Sequence, residues 1–266
     1  MKVISLLTDF GLKGYYVGAV KGVLTKICPD VKVIDITHNI SKWDIREAAY
    51  VLSCCYRYFP SGTIHLVIVD PGVGTERRGI VIKTKRYFFV GPDNGVLVPA
   101  ALEDGIESIY SIENKELFLE DVSPTFHGRD IFAPVAARLA RGINLESIGP
   151  RIMNIIFPSF YEPKIDMKNR EVICEVIFID EFGNVATNVK IDTLKRLNIK
   201  YGTKLEIKIQ DKTLEVKLLP SFGYIDEGKP LALVNSCGRL ELAINRGNAA
   251  EFLGIKPSDK IIIKVI

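Results

Sequence analysis

The stretch that decides the fold is Thr63–Gly79, TIHLVIVDPGVGTERRG. It opens as an apolar run rich in Ile and Val, the composition of a strand covered on both faces. The run ends at Asp70. Pro71, Gly72 and Gly74 then turn the backbone hard and leave it bare of bulky side chains. Arg77 and Arg78 follow. A carboxylate at the C-terminal tip of a central strand, beside a Gly-rich turn and a guanidinium, is where open α/β sheets place their ligands. Asp70-Pro71-Gly72 is also ordinary turn chemistry, so the stretch by itself leaves both readings open.

Outward from this strand the chain repeats strand then helix. Val3–Leu7 reads as a strand ending at Thr8-Asp9. Tyr16, Val17, Val20, Val23, Leu24 and Ile27 share one helical face, predicting a helix over 15–27. Val31–Ile36 is a second strand. Asp44–Phe59 is a second helix, stopped by Pro60-Ser61-Gly62. The repetition predicts a mostly parallel sheet with crossover helices. Gly79–Thr84, Arg86–Val90, Ile106–Ile112 and Glu116–Leu119 read as further strands, Val96–Leu102 as a short helix, and Ile131–Ala140 as a helix after the polar loop Pro124–Asp130. Pro158 and Pro163 mark a linker over about 151–168. Beyond it, short strands at close spacing read as a small barrel or sandwich. The expectation is α/β: an N-terminal domain over residues 1–160 and a C-terminal domain over 169–266.

The 266 residues carry a net charge of +3 and a hydrophobic share of 47%. That is the balance of a globule with a real core, and it points to no nucleic-acid partner. No run approaches a membrane span, and the apolar start meets Asp9 too early for a signal peptide. Cys28, Cys54, Cys55, Cys174 and Cys237 form no CxxC pair and no zinc spacing, and read as reduced thiols of a cytoplasmic protein. Abundant Lys, Arg, Glu and Ile, with Gln210 the only glutamine, point to a thermophilic source.

Polar residues gather at the edges of the apolar runs: Thr8-Asp9, Trp43, Asp70 with Arg77, His127, and Asp180–Asn184. Each has a plain structural reading: a cap, a packing residue or a turn. The glycines after Asp70 miss the dinucleotide spacing and lack the Gly-Lys-Ser/Thr of a P-loop. No Ser-centred nucleophile elbow is present. With His38, His65 and His127 unpaired in ligand spacing, no metal is expected.

Together the segments LLTDFGLKGYYVGAVKG, ITHNISKWDIREAA, VDPGVGTERR, PTFHGRDIFAPVAA, IDEFGNVATN and LVNSCGRLELAINRGNAA resemble one family, the S-adenosylmethionine hydroxide adenosyltransferases, water-using relatives of fluorinase and chlorinase. The resemblance implies an N-terminal α/β domain and a C-terminal β-barrel-like domain. It implies a homotrimer with sites at subunit interfaces, a small-molecule substrate and no cofactor beyond it. Asp70, Arg77 and His127 match the set that holds and activates the attacking water. Asp9 matches the carboxylate on the ribose hydroxyls, and Trp43 and Phe126 the walls around ribose and sulfonium. Asp180 and Ser236 match the methionine end, and Phe182, Asn184, Tyr224, Asn248 and Ala249 the adenine pocket.

The halogenating branch carries Tyr in place of Asp70 and Ser in place of Gly128. A carboxylate repels a halide and accepts a hydrogen bond from water, so the implied reaction is hydrolysis of S-adenosyl-L-methionine to adenosine and L-methionine. The chain departs from the family at Gly14, where an acid is frequent. It departs from the halogenating branch at Cys237 for Arg and Ala186 for Trp. An adenosyl halide synthase and a non-catalytic nucleoside sensor are the alternatives. The joint presence of Asp70, Arg77 and His127 favours catalysis. Of the two adjacent guanidiniums, only the match favours Arg77 over Arg78.

Overall fold

All residues of β3 (Ile64–Ile68) are buried, because apolar side chains leave both of its faces. Ile64, Leu66 and Ile68 join one core cluster, and Val67 and the following Val69 join another. In the computed structural model, residues 2–158, 162–210 and 212–266 are described. The chain divides into two compact units, Met1–Ser159 and Phe160–Ile266.

In the first unit β3 lies between β1 (Lys2–Thr8) and β5 (Phe88–Pro92), parallel to both. β2 (Val31–Thr37) pairs parallel with β1 on the other side. β4 (Gly79–Thr84) runs antiparallel to β5 and to β6 (Ile106–Ser111), giving the order β2-β1-β3-β5-β4-β6. Helices α1 (Tyr16–Ile27) and α4 (Ala133–Ala140) pack on one face, and α2 (Ile45–Cys55) and α3 (Val98–Asp104) on the other. The chain steps outward from β1 to β2, then crosses back past β1 to β3. That reversal parts the connections leaving β1 and β3 and opens a crevice at their C-terminal ends. Thr8 lies in register with Ile68, so Asp9 and Asp70 leave the same edge of the sheet.

Several boundaries depart from the expected ones for identifiable reasons. α2 starts where expected, because the Asp44 carboxylate accepts from the Arg46 and Glu47 amides. It tightens to a 3₁₀ turn at Tyr56–Tyr58 before Pro60. Glu116–Leu119 is not a strand. The Asn114 side chain accepts from the Glu116 amide and caps a 3₁₀ turn over Lys115–Leu117. The helix expected over 131–140 begins as a π turn, Gly128–Phe132. Pro134 has no N–H to offer the Asp130 carbonyl, and the Leu119 amide takes that acceptor at 2.9 Å instead.

In the second unit the strands are β7 (Lys164–Asp166), β8 (Glu171–Ile179), β9 (Val185–Lys190), β10 (Lys204–Ile209), β11 (Lys212–Lys217), β12 (Pro230–Val234), β13 (Arg239–Ile244) and β14 (Lys260–Val265). They follow one another antiparallel in the order β11-β10-β14-β8-β9-β13-β12. A bridge between Leu218 and Ala232 joins the two ends, so the sheet nearly closes into a barrel around an apolar core. β7, inside the stretch read as linker, pairs with β8 through a turn in which the Asp166 carboxylate accepts from the Lys168 and Asn169 amides. Two short helices, α5 (Ile191–Arg196) and α6 (Ala249–Leu253), complete the unit. Cys28, Cys55 and Cys174 are free, as expected. Cys54 and Cys237 are not free thiols, which corrects the reading of all five as reduced.

One core residue carries a pH cost. His65 is fully buried, its Nδ1 2.7 Å from Ser5 Oγ, with Phe59, Tyr87 and Phe89 rings 5.0–5.3 Å away. Burial pushes its pKa from 6.5 down to about 3. Between those values the unfolded chain takes a proton that the folded chain refuses, so stability present above the upper value is lost as pH falls. The expected slope is up to about 1.4 kcal/mol per pH unit. Urea unfolding from pH 7 to 4, with wild type compared to Ser5→Ala/His65→Phe, measures it. An unchanged slope in the double variant would remove His65 as the cause.

Candidate active site

The crevice at the ends of β1 and β3 is a cavity of about 360 Å³ lined by Asp9, Tyr16, Trp43, Asp70, Phe126 and His127, among others. That is the scale of a small-molecule site. Asp70 follows the last apolar residues of β3, and the turn after it brings Arg77 back. Arg77 Nε donates to Asp70 Oδ1 at 3.0 Å and Nη2 to Oδ2 at 2.5 Å. Both side chains are nearly buried, at 9% and 6% exposed. The guanidinium also lies 5.2 Å from the centre of the Phe132 ring. Its Nη2 reaches His127 Nδ1 at 3.2 Å. A guanidinium only donates, so Nδ1 accepts and the hydrogen of the neutral imidazole sits on Nε2.

Electrostatics follow from this packing. Burial raises Asp70 above the ordinary carboxylate value, and Arg77 opposes that rise without cancelling it. Burial, and then the Arg77 charge, lowers His127. Arg78 points elsewhere: it donates to the buried Asp93 at 2.6 Å and to the Asn154 carbonyl at 2.9 Å. Asp93 also accepts from the Ile156 amide. The two adjacent arginines are thereby separated, and Arg77 is the one at the crevice.

Asp9 is 7% exposed, and its Oδ2 accepts from the Trp43 amide at 2.9 Å. Lys42 Nζ bonds to the Asp9 carbonyl. Trp43 adopts a left-handed φ of 63° and is 68% exposed at the mouth. Phe126 is buried, edge-on to Phe10 and Tyr16 at 5.8 and 5.2 Å, with the Arg129 guanidinium 4.9 Å from its centre. Tyr16, read from the sequence as a core-face residue, lies on the wall of the crevice, as do Phe10 and Lys42. A Cβ at Gly14 would come within 2.9 Å of the Tyr16 ring. The small residue at the position where an acid is frequent therefore makes room for that ring.

The remaining expected site residues belong to the second unit. Asp180 Oδ1 accepts from the Phe182 and Asn184 amides, and its Oδ2 from Asn184 Nδ2. Asp180 is thus the turn residue of this hairpin, with Phe182 77% exposed on it. The hairpin is tied to α6. Gly183 has no side chain to strike Asn248, and its carbonyl accepts from the Ala250 amide. Asn248 caps α6 by accepting from the Glu251 amide, and Ala249 is buried in its first turn. Asp180, Phe182, Asn184, Asn248 and Ala249 are accordingly one local assembly. Tyr224 and Ser236 are exposed on two other turns.

The fold and this cluster define a small-molecule enzyme of doubly wound α/β type with an appended barrel. Residues 4–149 match the family model for the SAM hydroxide adenosyltransferase N-terminal domain, and residues 174–262 that for the C-terminal domain. The chain belongs to the SAM hydroxide adenosyltransferase family. It is 38% identical to a protein of Salinispora tropica named (R)-S-adenosyl-L-methionine hydrolase, over 97% of this chain and 96% of that one. A protein of the same name from Methanocaldococcus jannaschii is 37% identical over 99% and 96% of the two chains. A fluorinase of Nocardia brasiliensis is 30% identical over 99% and 97%. The crystal structure of an uncharacterised conserved protein from Thermotoga maritima superposes with a TM-score of 0.93 at 42% identity, covering 98% of this chain and 99% of that one.

Gly128 marks how tightly the crevice is built. A Cβ there would lie 2.8 Å from Ile68 Cγ2 and 3.1 Å from Cδ1, at the tip of β3. Gly128→Ala is expected to destabilise the protein by about 1–3 kcal/mol. Ile68→Ala, itself a core truncation, should cost less in the Gly128→Ala chain than in the wild type by chemical unfolding, because it removes the atoms in conflict. Equal costs in the two backgrounds would show the strain lies elsewhere.

Proposed function

We propose that this protein hydrolyses S-adenosyl-L-methionine to adenosine and L-methionine by in-line attack of water on the ribose 5′-carbon. The observation that carries the proposal is Asp70 clasped by Arg77, with His127 on the same guanidinium, at the switch point of the sheet. In this reading Asp70, Arg77 and His127 are catalytic. The leaving group is a neutral thioether and needs no acid. A water–C5′ bond forms as the C5′–S bond breaks, its electron pair passes to sulfur, and the water proton goes to a base. Arg77 cannot accept that proton. His127 Nδ1 already accepts from Arg77, so Nε2 carries a hydrogen and serves as a donor to the water. Asp70 is left as the acceptor. In a dry cleft, the partial anion on oxygen and the sulfonium neutralise one another. Trp43 and Phe126 supply the apolar walls, and their π faces suit a cation.

Asp9 is assigned to the ribose hydroxyls, since Trp43 occupies only one of its oxygens. Asp180 and Ser236 would hold the methionine end, and Phe182, Asn184, Tyr224, Asn248 and Ala249 the adenine. A homotrimer that completes each site with residues of a neighbouring subunit fits the exposure of large apolar side chains, Leu12 and Trp43 on the first unit and Phe182 and Tyr224 on the second. Among the described residues no helix is long and apolar enough to cross a membrane. A thermophilic source accords with the composition, and such a source is also the setting in which bonded Cys54 and Cys237 are compatible with a cytoplasmic location. No cofactor enters the reaction.

The test is incubation of the purified protein with each sulfonium epimer of S-adenosyl-L-methionine and no halide, because relatives bear the name of the (R) form. Adenosine and methionine should appear in equal amounts. Asp70→Ala should lose about 10²–10⁴-fold in kcat while adenosine still binds. A variant that keeps its rate would end Asp70's role.

The pH dependence follows from the same group. Burial raises Asp70, and activity needs its carboxylate, so kcat/KM should fall on the acid side at a pH above the ordinary carboxylate value of 3.8. Arg77→Met removes the opposing charge and should move that limb to higher pH. An unmoved limb would assign it to another group.

A further inference from the structure

His38 follows β2 beside the C-terminal end of β1 and is 5% exposed. Its Nε2 lies 3.2 Å from Asp35 Oδ1, and the other oxygen of Asp35 lies 2.6 Å from Lys21 Nζ. Its Nδ1 lies 2.9 Å from Thr8 Oγ1. Thr8 Oγ1 in turn accepts from the Phe10 amide at 3.2 Å. The His38 carbonyl accepts from the Gly11 amide at 2.7 Å. The contacts that His38 makes toward β1 thus fall on residues to either side of Asp9 in the chain, and none falls on Asp9 itself.

The directions of these bonds are set by chemistry. The 3.2 Å approach of Nε2 to Asp35 is not aligned as a hydrogen bond, yet a carboxylate repels a lone pair, so the nitrogen facing it carries the hydrogen. A neutral imidazole then presents a lone pair at Nδ1, and Thr8 donates its single hydroxyl hydrogen there. That leaves the Thr8 oxygen free to receive the Phe10 amide. The opposite tautomer would aim an Nε2 lone pair at the Asp35 carboxylate. Asp35, although burial opposes its charge, is held below the ordinary value by Lys21 and His38.

We infer that His38 is a positioning residue for Asp9: it orders the Thr8 hydroxyl with its ring and the Gly11 amide with its carbonyl, and so fixes the turn that aims the Asp9 carboxylate into the crevice. The inference rests on the assignment of Asp9 to the ribose. Side-chain atoms of Asn and Gln separate the ring's two ends. In a His38→Asn variant the new side-chain oxygen falls near the Nδ1 position and can accept from Thr8. In His38→Gln the longer amide reaches toward Asp35 and leaves Thr8 without its acceptor.

Adenosine binding by calorimetry, with KM and kcat for hydrolysis, tests this on the full chain. His38→Gln should weaken adenosine binding and raise KM by about 10-fold, the loss of roughly one net hydrogen bond, with kcat changed far less. His38→Asn should stay within about 3-fold of wild type in both. Equal losses in the two variants, or none in either, overturn the inference. So does loss of binding in Asp9→Ala without loss in His38→Gln. Adenosine bound normally by Asp9→Ala would instead overturn the ribose assignment. Long-range 1H–15N spectra of the wild-type protein at neutral pH give a readout that needs no folded variant. They should show His38 with its hydrogen on Nε2, and a hydrogen on Nδ1 would overturn the inference.

Discussion

The buried pair of Asp70 and Arg77 is the constraint on which the crevice depends. Taking a carboxylate and a guanidinium out of water costs several kcal/mol for each ion, and only close geometry with further hydrogen bonds offsets it. Here the contact is two-pronged, the guanidinium lies against Phe132, and its Nη2 also reaches His127. One cation thereby organises three elements: the end of β3, the turn that follows it, and the π turn that opens α4. Removing it would leave a charge stranded in an apolar wall and an imidazole without its donor.

The sheet topology puts that pair where it can act. Because the chain reverses direction between β2 and β3, the ends of β1 and β3 part, and two carboxylates come to one edge. Their surroundings differ. The Asp9 carboxylate accepts from a backbone amide, with a lysine on the carbonyl of the same residue, while Asp70 is sunk beside a guanidinium. The first is suited to hold hydroxyls. The second is raised by burial and restrained by Arg77.

Much of this was legible in the residues. The apolar run before Asp70 demanded a doubly covered strand, and its alternate side chains do feed two separate cores. The repeated strand-then-helix pattern led to the parallel part of the sheet. What sequence could not resolve was direction. Arg77 and Arg78 are adjacent, and only the extended backbone entering β4 sends one to Asp70 and the other to Asp93. Tyr16 kept the helical spacing of a core residue, yet it lies at the end of α1 that borders the crevice. Glu116–Leu119 had strand composition but lost to the local hydrogen bond of Asn114. Lys164–Asp166 was hidden behind Pro163. The π turn did leave a trace, since Pro134 could not serve the Asp130 carbonyl, but that trace has meaning only once Leu119 is known to be near.

Trp43 carries a consequence of its own. A bulky residue in the left-handed region sits in a conformation that glycine adopts far more readily. Its amide donates to Asp9 and its carbonyl accepts from the Ile45 amide, so the backbone at this position is held in part by a carboxylate that lines the same crevice. Accommodation of differently shaped ligands at the mouth must then come from rotation of the indole about its own bonds and not from movement of the main chain. Exchange for glycine would relax the peptide, yet it would strip away a wall, so robustness and recognition pull in opposite directions at this single residue.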